Sequence, residues 1–162
     1  YATDNAMCVY YGAVGNLRSS HAGSFHFPAG FGTLGFTVPV AIGAALAAPE
    51  RQVVGITGDG GFLFTATELA VAAAQRLNIA FVIFDNEGYG EILAEMVARG
   101  DQPRAVAAPQ RDLVMLARSL GAYAESVSTP DSLGRAITKS RGRTGPSVFV
   151  VTEPSPSRRD AS

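Results

Sequence analysis

The sequence is poor in cysteine and in long apolar runs. Its 162 residues include one cysteine, Cys8, so it has neither a disulfide framework nor a cysteine-rich metal site, which is typical of a reducing compartment. The N-terminal stretch YATDNAMC lacks the basic start of a signal peptide, and glycine or proline interrupts each apolar stretch before it reaches membrane-spanning length. We therefore expect a cytoplasmic protein with no membrane partner.

Charge is also scarce. Charged residues make up 17% of the chain and apolar residues 47%, and the formal net charge is −1. Lysine and arginine cluster only in the short tail PSPSRRDAS, so the sequence has no electrostatic footprint for nucleic acid. An apolar, weakly charged surface predicts cover by other protein, and we expect a homo-oligomer, either a dimer or a tetramer.

The apolar pattern predicts an α/β fold, in which parallel strands are joined by crossover helices. We expect three α/β/α layers around a mainly parallel central sheet, in one domain over residues 1–153, followed by a disordered tail over 154–162. The predicted strands are 7–11, 53–57, 79–85 and 147–152, and the predicted helices are 38–48, 65–77, 90–98, 112–121 and 130–141.

Helix-end signals accompany this pattern. Thr65 with Glu68 predicts a capping box, Gly121 predicts a helix end, and Thr129 followed by Pro130 predicts a helix start. The stretch ELAVAAAQRL, at 68–77, is apolar nearly all round. It predicts either a partner surface or a helix covered on both sides within the domain.

Two glycine-rich loops follow neighbouring predicted strands. Asp59 lies among Gly58, Gly60 and Gly61 directly after the strand at 53–57, and DNEGYG, at 85–90, follows the next strand. In parallel sheets ligands bind beyond the carboxyl ends of the strands. Carboxylate, amide and carbonyl oxygens suit Mg²⁺ or Ca²⁺ rather than zinc. Either loop alone is compatible with an ordinary tight turn, but the pair favours a shared metal site.

The loop around Asp59 also offers backbone amides to an anion such as a phosphate. Between Val53 and Ala98 the only cationic side chain is Arg76, and no lysine follows the loop as a Walker motif requires. A phosphate bound here would need its charge neutralised by a metal. The sequence therefore predicts a diphosphate joined through Mg²⁺ to Asp59 and Asn86.

The segment from GDGGF to DNEGYG resembles the cofactor-binding signature of thiamine diphosphate (ThDP) enzymes, which begins with Gly-Asp-Gly and ends in an asparagine pair. The upstream stretch GFGTLGFTVPVAIGAALAAPERQVVGITGDG is similar to the branch of 2-oxo acid decarboxylases and acetolactate synthases. The resemblance spans nearly the whole chain and implies one of the three usual domains of that family, the C-terminal diphosphate-binding domain with the ThDP-binding fold.

The resemblance implies a role for individual residues. Asp59 and Asn86 would bind Mg²⁺ through their side chains and Gly88 through its carbonyl. Leu34 would bend the cofactor, and the Gly32 carbonyl would accept its 4′-amino group. The full implied cofactor-binding set is Gly32, Thr33, Leu34, Gly58, Asp59, Gly60, Gly61, Asn86, Gly88, Tyr89 and Gly90. The sequence departs from the family pattern at Asp85, where the first asparagine of the pair usually stands, and at Val40, which replaces an alanine.

The implied activity is that of a ThDP-dependent decarboxylase or carboligase acting on a small 2-oxo acid, of benzoylformate decarboxylase or acetolactate synthase type. The family's activating glutamate belongs to a separate pyrimidine-binding domain, so we expect no catalytic residue in this chain and no activity from it alone. Two explanations stay open, a fragment of a longer enzyme or a subunit that pairs with a separate pyrimidine-binding chain.

The substrate is less determined than the cofactor. Glu91 and Ile92 follow the metal loop and His26 precedes the loop at Gly32, so all three are candidates to face the substrate. Decarboxylation and carboligation stay open, as does a non-catalytic module that binds ThDP or a nucleotide diphosphate. A dinucleotide-binding domain is disfavoured because GDGGF lacks the G-x-G-x-x-G spacing.

Overall fold

A computed structural model describes residues 1–19, 21–108 and 111–153. Within these ranges the chain forms a sheet of five parallel strands in the order β1-β2-β3-β5-β4. The strands are β1 (Ala2–Thr3), β2 (Val53–Gly58), β3 (Ile79–Asp85), β4 (Tyr123–Val127) and β5 (Ser147–Thr152).

The helices are short, and glycine and proline separate several of them. They are α1 (Val14–Asn16), α2 (Thr37–Ala47), α3 (Asp59–Thr65), α4 (Leu69–Ala74), α5 (Gly90–Ala98), α6 (Leu113–Ser119) and α7 (Pro130–Ser140). A π-helical turn, Val9–Ala13, precedes α1, and a 3₁₀ turn, Ala66–Glu68, joins α3 to α4.

The core lies on both faces of the sheet. Phe81 and Ile83 of β3 pack in a large cluster with α2, α3, α4 and α6, whereas Phe149 of β5 packs on the opposite face with Ala136 of α7. Central strands that are buried on both faces read as continuous apolar runs, which is how the runs at 79–85 and 147–152 appear in the sequence. The predicted α/β fold with a parallel central sheet is confirmed.

The N-terminal strand prediction is wrong. Residues 7–11 begin a helical segment that continues through the π-helical turn Val9–Ala13, and the first strand is Ala2–Thr3. A run of five apolar residues fits one turn of helix as well as a short strand, so periodicity could not separate the two. Strand β4 is missing from the prediction because its residues, YAESV, alternate only weakly between apolar and polar.

The capping box predicted at Thr65 and Glu68 is also wrong. The helical segment begins at Asp59, so Thr65 lies at the end of α3, and its hydroxyl donates to the Gly35 carbonyl at 3.0 Å. The other two signals are confirmed. Gly121 follows α6 with φ +89°, and Thr129 caps α7 with Pro130 in its first turn.

The apolar stretch at 68–77 is covered on one side only. Leu69 and Ala72 are fully buried, whereas Val71 is 44% exposed. Cover by a partner remains a prediction for the other side, and the predicted tail at 154–162 lies outside the described residues. None of the helices in the described ranges is long and apolar enough to span a membrane.

Candidate functional site

The two glycine-rich loops meet at one edge of the sheet. Gly58, the last residue of β2, pairs in register with Phe84 of β3. Asp59, which follows β2, and Asp85 with Asn86, at the end of β3, therefore leave the sheet side by side. This adjacency is a consequence of the parallel β2–β3 pairing.

A cavity of about 290 Å³ opens above this edge. Among the described residues that line it, none is basic, and the acidic ones are Asp59, Glu91 and Glu153. The predicted site residues that line it are Gly32, Leu34, Gly58, Asp59, Gly60, Gly61, Asn86, Gly88, Tyr89, Gly90, Glu91 and Ile92. The structure thus brings together twelve residues that were predicted from three separate stretches of sequence.

The three predicted metal ligands point at one another. The inner terminal atom of the Asn86 amide lies 2.8 Å from the Gly88 carbonyl oxygen and 3.2 Å from Asp59 Oδ1. With nitrogen in that position the amide donates to both oxygens, and with oxygen there three acceptors face one point. The Asn86 amide can adopt either orientation. With its nitrogen inward the three groups form hydrogen bonds with one another, and with its oxygen inward they can bind a cation.

Asp59 is the buried member of this cluster, with 1% of its surface exposed. The pKa of Asp59 is raised to about 6, chiefly by burial; the Arg111 guanidinium lowers it, and the nearby Asp85 carboxylate adds to the rise. The Nη2 of Arg111 forms an ion pair with Asp59 Oδ2 and lies 3.1 Å from Asp85 Oδ1. Sequence reasoning did not include Arg111, because it considered cations only between Val53 and Ala98.

The second loop is held by a distant segment. Gly88 forms a bridge with Ala107, the Tyr89 amide donates to the Val106 carbonyl at 2.8 Å, and the Ala108 amide donates to the Glu87 carbonyl at 2.9 Å. A Cβ on Gly88 would lie 2.2 Å from the Val106 oxygen. The same segment leads on to Arg111, so it both positions the Gly88 carbonyl and supplies the cation.

The first loop is packed against its neighbours. A Cβ on Gly60 would lie 2.7 Å from the Tyr89 ring, and a Cβ on Gly61 would lie 3.0 Å from the Asp4 carboxylate. The glycines therefore allow two loops and the N-terminal segment to approach closely.

Asp4 is a buried residue that the sequence reasoning missed. Its carboxylate accepts hydrogen bonds from the Gly35 amide at 3.1 Å, the Thr37 amide at 3.4 Å and the Thr57 hydroxyl at 3.4 Å. Burial is the main cause that raises its pKa, against the hydrogen bonds that lower it. Asp4 joins β1, β2 and the start of α2, and a single acidic residue after an unrecognised strand gave no signal for this role.

Two predicted residues do not line the cavity. The Thr33 side chain donates to the Leu34 carbonyl, and its own carbonyl accepts from Asn5 at 3.4 Å. His26 is fixed through its backbone beside β1, where its carbonyl accepts from the Thr3 amide at 3.0 Å. Their positions leave both residues at the periphery of the site.

Glu91 has a partner that the sequence did not reveal. Its carboxylate accepts a hydrogen bond from the Tyr11 hydroxyl at 3.0 Å, and this bond raises the pKa of Tyr11.

Cys8 also lines the cavity, and burial raises the pKa of its thiol to about 12, so it stays protonated at neutral pH. Among the described residues, no group of three histidine, cysteine or acidic side chains is arranged to hold a metal, so a metal here would need amide and carbonyl oxygens in addition to the Asp59 carboxylate.

Known proteins resemble this chain in sequence and in fold. The family model described as "Thiamine pyrophosphate enzyme, C-terminal TPP binding domain" matches residues 8–151. A probable 2-ketoarginine decarboxylase of Pseudomonas aeruginosa is 32% identical over 93% of this chain and 27% of its own length. Benzoylformate decarboxylase of the same species is 37% identical over 80% of the chain and 24% of its own length. Acetolactate synthase of Bacillus subtilis is 34% identical over 75% of the chain and 21% of its own length.

Two solved structures share the fold. The thiamine diphosphate-dependent 4-hydroxybenzoylformate decarboxylase of Rhodococcus jostii matches with a TM-score of 0.78 and 31% identity over 86% of this chain and 26% of that one. Benzoylformate decarboxylase from Polynucleobacter necessarius matches with a TM-score of 0.81 and 24% identity over 94% of this chain and 29% of that one, which supports the fold alone.

The chain spans about a quarter of the length of these relatives, with shares from 21% to 29%. The family match covers most of the chain, and it includes both glycine-rich loops. This chain belongs to the family of C-terminal thiamine pyrophosphate-binding domains of thiamine pyrophosphate enzymes.

Proposed function

We propose that this chain holds the diphosphate end of thiamine diphosphate through Mg²⁺, as one domain of an enzyme that acts on a small 2-oxo acid. The observation that carries the proposal is the convergence of Asp59, Asn86 and Gly88 on one point at the carboxyl edge of the sheet. The family match supports the cofactor.

The spacing of the three groups suits magnesium. Mg²⁺ binds oxygen at about 2.1 Å in an octahedron, so neighbouring ligand atoms lie about 3.0 Å apart. The distances from the inner Asn86 atom, 2.8 Å to the Gly88 oxygen and 3.2 Å to Asp59 Oδ1, are close to that value. Asp59, Asn86 and the Gly88 carbonyl would therefore take three positions and leave the others for diphosphate oxygens and water.

The remaining residues of the cavity would orient the cofactor. Gly60 and Gly61 line the cavity at the first turn of α3, and Leu34 adds an apolar side chain to the lining. When bound, thiamine diphosphate supplies a nucleophilic carbon that adds to the carbonyl of a 2-oxo acid. The role of this chain is to anchor the charged end and to fix the bend of the cofactor, for which Leu34 is our candidate.

A second protein surface would complete the site. Phe31 is 98% exposed and lies next to Gly32, and Phe64 on α3 is 60% exposed. Aromatic rings so exposed beside a ligand cavity favour cover by protein. We propose a pyrimidine-binding domain or subunit as that cover, in a homo-oligomer, with the activating glutamate supplied from there; this chain alone should then be inactive.

Glu91 favours a particular class of 2-oxo acid. It is one of the three acidic groups of a cavity without basic lining, and the Tyr11 hydroxyl orients its carboxylate. Such a group suits a substrate side chain that is cationic or donates hydrogen bonds, and one relative is named a 2-ketoarginine decarboxylase. In the complete enzyme, Glu91→Gln should lower kcat/KM for 2-ketoarginine more than tenfold and leave benzoylformate within threefold; equal losses would contradict the assignment.

Acetolactate synthesis is the second candidate, supported by the 34% identity to the Bacillus subtilis enzyme. A non-catalytic binding module is not favoured, because the relatives of the chain are enzymes of the decarboxylase and synthase type. Product analysis with pyruvate separates the two catalytic candidates, since a carboligase releases acetolactate and a decarboxylase releases an aldehyde.

The cofactor proposal is tested by calorimetric titration with thiamine diphosphate, with and without Mg²⁺. The protein should bind the cofactor at least tenfold more tightly with Mg²⁺, and Asp59→Asn should abolish that difference. Asp101→Asn is the matched control, since Asp101 is an exposed carboxylate outside the cavity. Metal-independent binding, or an unchanged Asp59→Asn variant, would refute the proposed metal site.

A further inference from the structure

Arg111 is the one basic side chain that the structure places on the metal-ligand cluster, within the described residues. Its Nη2 pairs with Asp59 Oδ2 and lies 3.1 Å from Asp85 Oδ1, and 14% of the side chain is exposed. Asp59 therefore turns Oδ1 toward Asn86 and Oδ2 toward the guanidinium. One of the two oxygens of the carboxylate proposed to bind Mg²⁺ is therefore already paired with the Arg111 guanidinium.

Asp85 explains why the arginine can be held here. It stands where the resembling family has an asparagine, so the cluster carries one more negative charge than that pattern provides. Two carboxylates, Asp59 and Asp85, lie within reach of one guanidinium nitrogen. An amide in place of Asp85 would leave only one carboxylate to bind the guanidinium.

The segment that carries Arg111 is anchored to the metal loop. Bonds between residues 87–89 and 106–108 fix it beside Gly88, as described above. The hydrogen bonds between residues 87–89 and 106–108 therefore position the Gly88 carbonyl and also hold the segment of Arg111 beside the cluster. Metal binding at Asp59 Oδ1 would place a divalent charge next to a fixed guanidinium, and like charges at such a distance repel strongly in a buried site.

We propose that Arg111 is an internal counter-cation of the metal site, which keeps the affinity for a free divalent ion low and leaves the affinity for a metal–diphosphate complex little changed. The inference rests on the proposed function. A diphosphate brings negative charge that offsets the repulsion between the metal and Arg111, whereas the ion alone does not. The residue thus favours loading of the metal together with the diphosphate.

The test is titration of the purified protein with Mn²⁺ alone, followed by its magnetic resonance signal, and with preformed Mg²⁺–thiamine diphosphate, followed by calorimetry. Arg111→Met should bind Mn²⁺ at least tenfold more tightly than the wild type and bind the preformed complex within threefold of it. Arg111→Lys keeps the charge and should stay within threefold for both ligands. Arg104→Met, on an exposed arginine of the same segment, should change neither affinity.

Each other outcome overturns the proposal in a distinct way. Unchanged Mn²⁺ binding by Arg111→Met shows that the arginine does not oppose the metal. Weaker binding of the preformed complex, without tighter Mn²⁺ binding, shows that Arg111 is a diphosphate ligand instead. If Arg111→Lys behaves like Arg111→Met, charge is not the cause.

Failure of the proposed function looks different. In that case no variant binds Mn²⁺ or the preformed complex at the Asp59 cluster, whatever residue stands at position 111. Thermal melting in the presence of a chelator checks that Arg111→Met is folded, so that lost binding is not mistaken for a lost structure.

Discussion

The loops after β2 and β3 supply the same cluster but are built in different ways. The first, around Asp59, passes directly into α3, and Asp59, Gly60 and Gly61 are all buried. The second, from Asp85 to Gly90, leaves the sheet, places Glu87 at φ +68°, and bonds to residues 106–108. The first loop is fixed by the close packing of its glycines against Tyr89 and Asp4, and the second by backbone hydrogen bonds to residues 106–108.

This difference predicts which kind of substitution would disrupt each loop. Close packing of glycines holds the first loop, so it should fail through local crowding. The second loop depends on backbone hydrogen bonds to Val106 and Ala108, so it should fail when that pairing is disturbed.

The largest effect is expected from Gly88→Ala, which breaks the second loop. Its Cβ would lie 2.2 Å from the Val106 carbonyl oxygen, and because this is a backbone atom the paired segment has to move. We expect Mg²⁺-dependent cofactor binding to fall more than about 100-fold and the free energy of unfolding to fall by about 2–3 kcal/mol.

Calorimetry and urea unfolding measure the two quantities for Gly88→Ala. Gly134→Ala is the control, because no atom lies within 4 Å of its Cβ and it stands inside α7. That change should stabilise the protein by up to about 1 kcal/mol. Wild-type binding by Gly88→Ala would show that the pairing with Val106 does not position the metal ligand.

Gly60→Ala should have a smaller effect and tests whether the loops are coupled. The new Cβ would lie 2.7 Å from the Tyr89 ring, but a side chain can swing away. We expect a loss of about 1–2 kcal/mol in stability and about tenfold in cofactor binding. In a double-mutant cycle with Tyr89→Ala, the stability cost of Gly60→Ala should shrink, because the ring it meets is gone. Strictly additive costs would mean that the loops do not contact as described.

The pH dependence should distinguish the metal-free from the metal-loaded site. The folded-state pKa of Asp59 is raised to about 6, so the proton stabilises the metal-free fold at low pH, and this contribution is lost as pH rises from about 4 to about 6. Mg²⁺ needs the carboxylate, so its affinity should fall up to about tenfold per pH unit below pH 6.

Melting curves from pH 4 to 8, in chelator and in saturating Mg²⁺, measure the opposite pH dependences of the metal-free and the metal-loaded protein. In chelator, the pH-dependent part of the stability that comes from Asp59 should disappear in Asp59→Asn. The part that comes from Asp4, whose pKa is also raised, should remain. Parallel curves with and without Mg²⁺ would argue against metal binding by Asp59.

The smallest effect is expected from Tyr11→Phe, which leaves both loops intact. Tyr11 is 70% exposed and its hydroxyl contacts only the edge of the site, through Glu91. Cofactor binding should stay within twofold and stability within about 0.5 kcal/mol, since surface changes rarely exceed that. In the complete enzyme the preference for a cationic over a neutral 2-oxo acid should shift by about two- to fivefold, a modest change for one hydrogen bond. Tyr123→Phe, at an exposed ring over Arg143, is the control.

The fold was largely predictable because its central strands are buried on both faces. The runs at 53–57, 79–85 and 147–152 are mostly apolar and lie in β2, β3 and β5. Strand β4 could not be found, since YAESV, at the edge of the sheet, alternates only weakly between apolar and polar residues. The segment at 7–11 was misassigned because its apolar residues fit one helical turn equally well.

The site was predictable to the extent that its chemistry is local. Asp59 and Asn86 follow consecutive strands of the chain, so a spacing of 27 residues in sequence, 86 minus 59, becomes adjacency once β2 and β3 pair. The metal-ligand and cofactor assignments themselves remain predictions. Asp4 and Arg111 gave no signal, because their partners are Gly35, Thr57 and Asp59, at separations of 31, 53 and 52 residues.

The sequence by itself determined the parallel α/β fold and the two loops that present oxygen atoms at one edge of the sheet. The spacing of apolar residues and the positions of glycines determine structure over a few neighbouring residues, so both can be read from the sequence. Only the tertiary structure decided that Arg111 lies on Asp59, that Asp4 ties β1 to α2, and that residues 106–108 hold the loop at Gly88. Those contacts form when distant segments pack together, and no local propensity encodes which polar group meets which.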